Sequence, residues 1–171
     1  MRTPNRYLLL FFFVTVFISL ALGKQVFASE HPKKFTVITT VAPITNMVRN
    51  IGGVYIDVIG VVPDGVDSHT FEPIPSDIKT LQAADLIIAN GLDLELPTLK
   101  LAEKVKKPAT RVVQLGNRTL KEEDWQYDFS FPREHGHPNP HLWLNIQLVM
   151  QYAEIIRDSL SELDPKHQEQ Y

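Results

Sequence analysis

The sequence of 171 residues contains no cysteine. A disulfide framework, a zinc–thiolate centre and a cysteine nucleophile are therefore excluded. Any transition-metal site has to use histidine, carboxylate or backbone oxygen ligands. The thiol to which a lipid anchor is attached in secreted lipoproteins is also missing, so we expect a mature chain without such an anchor.

Known catalytic motifs are missing as well. The sequence has no H-E-x-x-H helix, no G-x-S-x-G turn and no phosphate-binding P-loop. Gly52-Gly53 and Gly91 are interpreted as the ends of a helix and of a strand. The sequence therefore predicts a protein that is not an enzyme.

Positive charge is scarce beyond the N-terminus. Residues 1–28 hold three of the 17 basic side chains and no acidic one, which leaves 14 basic against 20 acidic side chains in residues 29–171. This balance argues against nucleic acid as a partner.

One long apolar run is present, from Tyr7 to Leu22, after the basic residues Arg2 and Arg6. Val26-Phe27-Ala28 then offers short side chains at positions −3 and −1 of a cleavage site. We predict a signal peptide over residues 1–28 and a periplasmic or secreted chain over residues 29–171. The alternative is a membrane anchor, but the run is shorter than the roughly 20 residues that span a bilayer.

Short apolar runs alternate with amphipathic segments through the rest of the chain, which indicates βαβ units and a parallel sheet. We predict an α/β fold, a single lobe with a four-stranded parallel sheet flanked by helices. The predicted strands cover Phe35–Thr39, Tyr55–Val62, Asp85–Ala89 and Arg111–Leu115.

The predicted helices begin near Pro43, at an N-cap Ser76, near Leu94 and at Asn145, and the last of them ends at Leu163. Residues 116–140 have no periodicity and predict a long loop, which is often functional. Asp164-Pro165 is typical of the start of a further helix.

Two of the six histidines stand at informative positions. His69 lies in the loop after the second predicted strand, and His141 lies at the end of the long loop. Ligands of parallel α/β sheets bind beyond the carboxyl ends of the strands, and the long loop can bring His141 to the same edge as His69. Imidazole is a common ligand of first-row metals.

Spacing alone leaves other interpretations open, because 72 positions separate the two residues. Each could be a surface or capping histidine. His135 and His137 are interpreted as solvated loop residues, with a weak secondary metal site as the alternative. The acidic residues Asp64, Asp67 and Glu72 are interpreted as turn formers, with Glu72 also considered as a residue that orients the His69 ring.

The order of motifs from about Phe35 to Tyr171 resembles the zinc/manganese-type substrate-binding proteins of ABC transporters. The motifs are Ala42-Pro43, Pro63-x-Gly-x-Asp-x-His69-x-Phe-Glu-Pro73, Ser76-Asp77, Ala84-Asp-Leu-Ile-Ile-Ala-Asn-Gly91 and Asn139-Pro-His141-x-Trp-Leu-Asn145. Asn139 and Asn145 depart from the family pattern, since aspartate is common at both positions.

The resemblance implies a receptor with two α/β lobes joined by a long helix and a metal ion between them. His69 and His141 would be the two ligands from the first lobe. Residues 29–171 would then be the N-terminal metal-binding lobe, ending at the start of the interlobe helix. The second lobe, which would supply a His or Glu and an Asp, is not expected within these residues, so the sequence would be a fragment, a truncated gene product or one half that awaits a separate partner.

The function implied by the resemblance is capture of a metal ion for a membrane ABC permease. Zinc is favoured over manganese because of the histidine-containing loop around His135 and His137. Two alternatives remain open at this point: a surface interaction or adhesion module that does not depend on metal, and a zinc hydrolase that uses the open coordination positions.

Overall fold

A sheet of four parallel strands organises residues 34–171, which are the residues that the computed structural model describes. Its strands are β1 (Phe35–Thr39), β2 (Ile56–Gly60), β3 (Leu86–Ala89) and β4 (Arg111–Gln114). Their order across the sheet is β2-β1-β3-β4, so the direction of winding reverses between β1 and β3. The predicted α/β fold with a four-stranded parallel sheet is confirmed.

Five α-helices and four 3-10 segments connect and follow the strands in this part of the chain. The α-helices are α1 (Ala42–Gly52), α2 (Pro75–Ala83), α3 (Leu96–Val105), α4 (Leu115–Thr119) and α5 (Ile146–Leu163). The 3-10 segments cover Glu122–Asp124, Arg133–His135, Leu142–Leu144 and Pro165–Gln170.

The central strand β3 is buried along its whole length, as its uninterrupted Leu-Ile-Ile-Ala sequence predicts for a strand covered on both faces. Leu86 and Ile88 pack into one hydrophobic cluster with Tyr152 of α5. Ile87 points to the opposite face and packs with Leu81 of α2. Each face of the sheet therefore has its own core.

Proline determines where α2 begins, and the N-cap predicted from the sequence does not. Pro75 occupies the first helical position of α2, because its fixed φ suits a residue with no intrahelical hydrogen bond to donate. Ile74 is consequently the N-cap, and the Asp77 carboxylate accepts a hydrogen bond from the Ile74 N–H at 2.8 Å. The prediction of Ser76 as N-cap is wrong, whereas Asn145 does cap α5 by accepting from Gln147 N at 2.9 Å.

The predicted loop 116–140 is partly structured. Its first four residues belong to α4, which begins at Leu115 directly after β4. Two 3-10 turns lie further along it. After α5, residues Pro165–Gln170 form a 3-10 segment, and the backbone at His167 departs from helical geometry.

Residues 1–28, interpreted above as a signal peptide, lie outside the described residues. Between residues 34 and 171, none of the helices has the length and apolar character needed to cross a bilayer.

We expect Leu81→Ala to lower the free energy of unfolding by about 2–5 kcal/mol, because it opens a cavity in the face of the core that α2 covers. Leu81 is fully buried. Urea titration followed by far-UV circular dichroism measures the loss. Leu144→Ala is the control, since Leu144 is 79% exposed and its truncation should change stability by no more than about 0.5 kcal/mol. Equal effects of the two variants would contradict the assignment of the core.

Candidate metal site

His69 lies in the loop that follows β2. Hydrogen bonds from Val61 N and Val62 N to carbonyls of residues 39 and 40 carry the chain to the carboxyl edge of the sheet. Asp67 Oδ1 then accepts a hydrogen bond from His69 N at 2.9 Å, which closes a local turn. Asp67 is thus a turn former, as the sequence predicts, and the His69 side chain is exposed.

His141 is held by the residue two positions before it. Asn139 Oδ1 accepts hydrogen bonds from His141 N at 2.9 Å and from His141 Nδ1 at 2.8 Å. The other end of the same amide, Asn139 Nδ2, donates to Asp128 Oδ2 at 2.5 Å. Asn139 N in turn donates to the Gln126 carbonyl at 2.8 Å. The His141 ring is therefore fixed from its Nδ1 side.

The structure brings the two imidazoles together. His69 Nε2 and His141 Nε2 are 3.2 Å apart, and the ring of Phe131 lies 5.7 Å from the His69 ring and 5.4 Å from the His141 ring, measured between centroids. Trp143 packs edge-on against His141 at 5.1 Å. The expectation that the long loop carries His141 to the edge where His69 lies agrees with this geometry.

The hydrogen bonds of Asn139 determine which His141 nitrogen carries a free lone pair. Because Asn139 directs its NH₂ group at the Asp128 carboxylate, its carbonyl oxygen faces His141 and can only accept. Nδ1 of His141 must then carry the proton, and Nε2 presents its lone pair to His69. This is the tautomer in which Nε2 can bind a metal ion.

The protonation of His141 follows from its surroundings. Partial burial, and secondly the positive charge that the neighbouring His69 can carry, lower the pKa of His141, while the negative charge of Asp128 opposes them. The hydrogen bond from Asn139 in turn lowers the pKa of Asp128. At neutral pH, His141 is therefore a neutral imidazole beside a charged carboxylate.

A cavity of about 260 Å³ adjoins the pair, lined in part by His69, Asp93, His135 and His137. His137 Nδ1 lies 3.1 Å from Asp93 Oδ2, and both His135 and His137 are exposed. Within residues 34–171, no group of three or more histidine or carboxylate side chains has the geometry of a metal site. The described residues therefore bring two imidazole nitrogens together at this edge, and not three.

Glu72 and His167 both lie outside the His69–His141 pair. Glu72 forms no hydrogen bond with His69 in the described part of the chain, so the suggestion that it orients the His69 ring is not supported. His167 is bonded to Asp164 at 2.7 Å and stacks on Tyr55 at 4.6 Å between ring centroids. It belongs to the segment after α5 and has no place in the His69–His141 pair.

Sequence reasoning missed a buried polar network beneath His141. Asn90 Nδ2 donates to the Pro140 carbonyl at 3.0 Å, and Tyr152 OH donates to Asn90 Oδ1 at 3.0 Å. Burial raises the pKa of Glu95. The hydrogen bonds that its side chain accepts, chiefly the one from Thr40, oppose this rise. A glutamate between two leucines, Leu94 and Leu96, is a signal that could have drawn attention to it.

Comparison with known proteins gives consistent matches. Residues 37–171 match the family model described as zinc-uptake complex component A, periplasmic. The iron-binding protein YfeA of Yersinia pestis is 36% identical over 143 residues, covering 84% of this chain and 44% of YfeA. The manganese ABC transporter substrate-binding lipoprotein PsaA of Streptococcus mitis is 34% identical over 178 residues, covering all of this chain and 55% of PsaA.

Solved structures agree. The Mn-bound periplasmic metal binding protein of Candidatus Liberibacter asiaticus superposes with a TM-score of 0.69 at 30% identity, over 81% of this chain and 49% of that one. The periplasmic zinc binding protein TroA of Treponema pallidum gives 0.71 at 27% identity, over 81% and 47%. The chain thus spans about half the length of the relatives it matches. Their names describe metal binding and transport, and not catalysis.

We predict opposite shifts of the His141 pKa in two variants of the metal-free chain. His69→Ala should raise it, because the neighbouring charge and part of the burial are removed. Asp128→Asn should lower it, because the carboxylate that favours protonation is replaced by an amide that still accepts from Asn139. NMR titration of the imidazole C–H signals measures both values against the wild type. Shifts in the same direction would contradict the geometry of the pair.

The lowered pKa also has a consequence for stability. Because folded His141 binds a proton less readily than in the unfolded chain, its contribution to stability is complete above about pH 6.5, the ordinary value. That contribution is lost as the pH falls through the lower folded value.

Proposed function

This chain belongs to the family of periplasmic zinc-uptake complex component A proteins, and on that premise we propose that it captures a transition-metal ion for a membrane ABC permease. His69 and His141 are the proposed ligands. Residues 29–171 are the proposed N-terminal metal-binding lobe, and residues 1–28 the proposed signal peptide. The proposed location is the periplasm or the cell exterior.

The observation that carries the proposal is the 3.2 Å separation of the two Nε2 atoms. Zinc–imidazole bonds of about 2.0–2.1 Å in a tetrahedral site separate two nitrogen ligands by roughly 3.3–3.4 Å. The pair is therefore spaced as two ligands of one ion would be, within a few tenths of an ångström.

The identity of the ion is a separate question. The names of the relatives mention iron, manganese and zinc, so the family alone leaves all three open. We favour zinc, because a pair of imidazole nitrogens suits zinc better than manganese, and because the chain carries the histidine-containing loop around His135 and His137 that favoured zinc in the sequence. A carboxylate third ligand from elsewhere would shift the preference toward manganese.

Two ligands leave a tetrahedral site half filled. Water can complete it, or a second lobe can do so, either from a longer chain or from a separately encoded partner. Completion by a second lobe is supported by the comparison, because the chain covers only about half of each relative. Zinc hydrolysis and metal-independent adhesion, the two alternatives considered from the sequence, gain no support from relatives whose names describe metal binding and transport.

We expect the purified 171-residue chain to bind one zinc ion saturably in a calorimetric titration at pH 7.5, and to bind manganese more weakly. The double variant His69→Ala/His141→Ala should lose this binding, because it removes both nitrogen ligands. The control is His135→Ala/His137→Ala, which removes the same number of imidazoles from the adjoining loop and should keep the wild-type affinity within about threefold.

Three outcomes would contradict the proposal. One is a wild-type chain that binds neither ion. Another is zinc binding that the His69→Ala/His141→Ala variant retains. A third is zinc binding lost only in the control variant, which would move the site to the loop around His135 and His137.

A further inference from the structure

The turn between β3 and α3 has an unusual backbone. Gly91, Leu92 and Asp93 all have positive φ angles, of 81°, 53° and 63°. Glycine adopts this conformation freely, but leucine and aspartate do so rarely. Two consecutive non-glycine residues in the left-handed region persist only where the surroundings over-determine them, and such positions cluster at functional sites.

Glu95 supplies much of that constraint. Its side chain is 1% exposed, and Oε1 accepts hydrogen bonds from Thr40 Oγ1 at 2.5 Å and from Asn90 N at 2.7 Å. Oε2 accepts from Gly91 N at 3.2 Å. A second clamp comes from α4, where Asn117 Oδ1 accepts from Leu92 N at 3.0 Å. The turn is thus tied to the end of β1 and to α4.

This turn places the buried Asn90 side chain between two partners that are distant in sequence. Asn90 Nδ2 donates to the carbonyl of Pro140, 50 positions away, and Asn90 Oδ1 accepts from Tyr152 OH, 62 positions away. Burial, and secondly the nearby Glu95, raise the pKa of Tyr152, so its hydroxyl stays protonated and donates. Both ends of the amide are therefore satisfied, and its orientation is fixed.

The contact with Pro140 matters because Pro140 directly precedes His141. The Pro140 carbonyl belongs to the peptide group that ends at His141 N, and the same nitrogen donates to Asn139 Oδ1. The peptide group is consequently held at its oxygen by Asn90 and at its nitrogen by Asn139. Fixing this plane fixes the position of the His141 Cα atom, from which the side chain extends.

We propose that Asn90 is a positioning residue for His141, and that Tyr152 and Glu95 act through it. The inference rests on the proposed function, since it concerns the affinity of the same pair for metal. Asn90 transmits the rigidity of the sheet edge to a ligand that otherwise sits on a long loop. Mutation of residues that orient metal ligands without contacting the metal typically lowers metal affinity about 10–100-fold.

The test compares Asn90→Asp with the wild-type chain. The substitution keeps the size of the side chain and an oxygen that accepts from Tyr152, but it replaces the donor to Pro140 by a second acceptor. We expect zinc affinity to fall about 10–100-fold by calorimetry. In the metal-free chain, we expect the nuclear Overhauser effect between the rings of His69 and His141 to be lost or strongly reduced.

Two further variants separate positioning from general stability. Leu81→Ala weakens the opposite face of the core and should lower the melting temperature, yet keep both the zinc affinity and the ring-to-ring signal. Tyr152→Phe removes only the hydroxyl that holds the Asn90 oxygen and should reduce both readouts in the direction of Asn90→Asp, by a smaller factor. It serves as the main test if Asn90→Asp does not fold.

The metal-free signal keeps this inference distinct from the proposed function. Loss of the ring-to-ring signal in Asn90→Asp would support positioning even if the wild-type chain bound no zinc. Absence of zinc binding by the wild-type chain would overturn only the proposed function. Unchanged signal and unchanged affinity in folded Asn90→Asp, or in Tyr152→Phe where Asn90→Asp is unfolded, would overturn the positioning role. So would equal losses of affinity and signal in Leu81→Ala.

Discussion

A carboxylate without bulk water around it has to find hydrogen-bond donors, and this requirement shapes the edge of the sheet around Glu95. The donors it finds are one hydroxyl after β1 and two backbone N–H groups after β3. These two strands flank the point where the winding of the sheet reverses, so one side chain joins the two sides of the carboxyl edge at that point. If any of these donors moved away, the buried carboxylate would lose a hydrogen bond at a cost in free energy. The donors therefore hold the turn in this conformation.

The Asn139 amide explains how asparagine can stand where the related family commonly has aspartate. One end of the amide accepts from His141, and the other donates to Asp128. The negative charge therefore lies one residue further from the imidazole, joined to it through a neutral amide. An aspartate at position 139 would face Asp128 across the same short distance, and the two like charges would repel. Asparagine is thus the residue that fits this particular pair.

Much of the fold could be predicted because it follows local patterns. Runs such as that of β3 predict buried strands, and Pro43 and Asn145 predict the helix starts near them. Ser76 failed as an N-cap because Pro75 begins the helix one residue earlier. The edge argument predicted that His69 and His141 lie close together, but their 3.2 Å approach depends on an aperiodic loop. The Asn90 network was not predictable, since its partners lie 50 and 62 positions away and Asn90-Gly91 reads locally as a strand end.

The two histidines are anchored unequally. The backbone of His141 is tied to β3 and α5 through Asn90, whereas that of His69 is tied to Asp67 within its own loop. A change in the separation of the two imidazoles therefore has to come mainly from the loop that carries His69. The pair thus has one fixed and one adjustable member, which two histidines on similar loops would not provide.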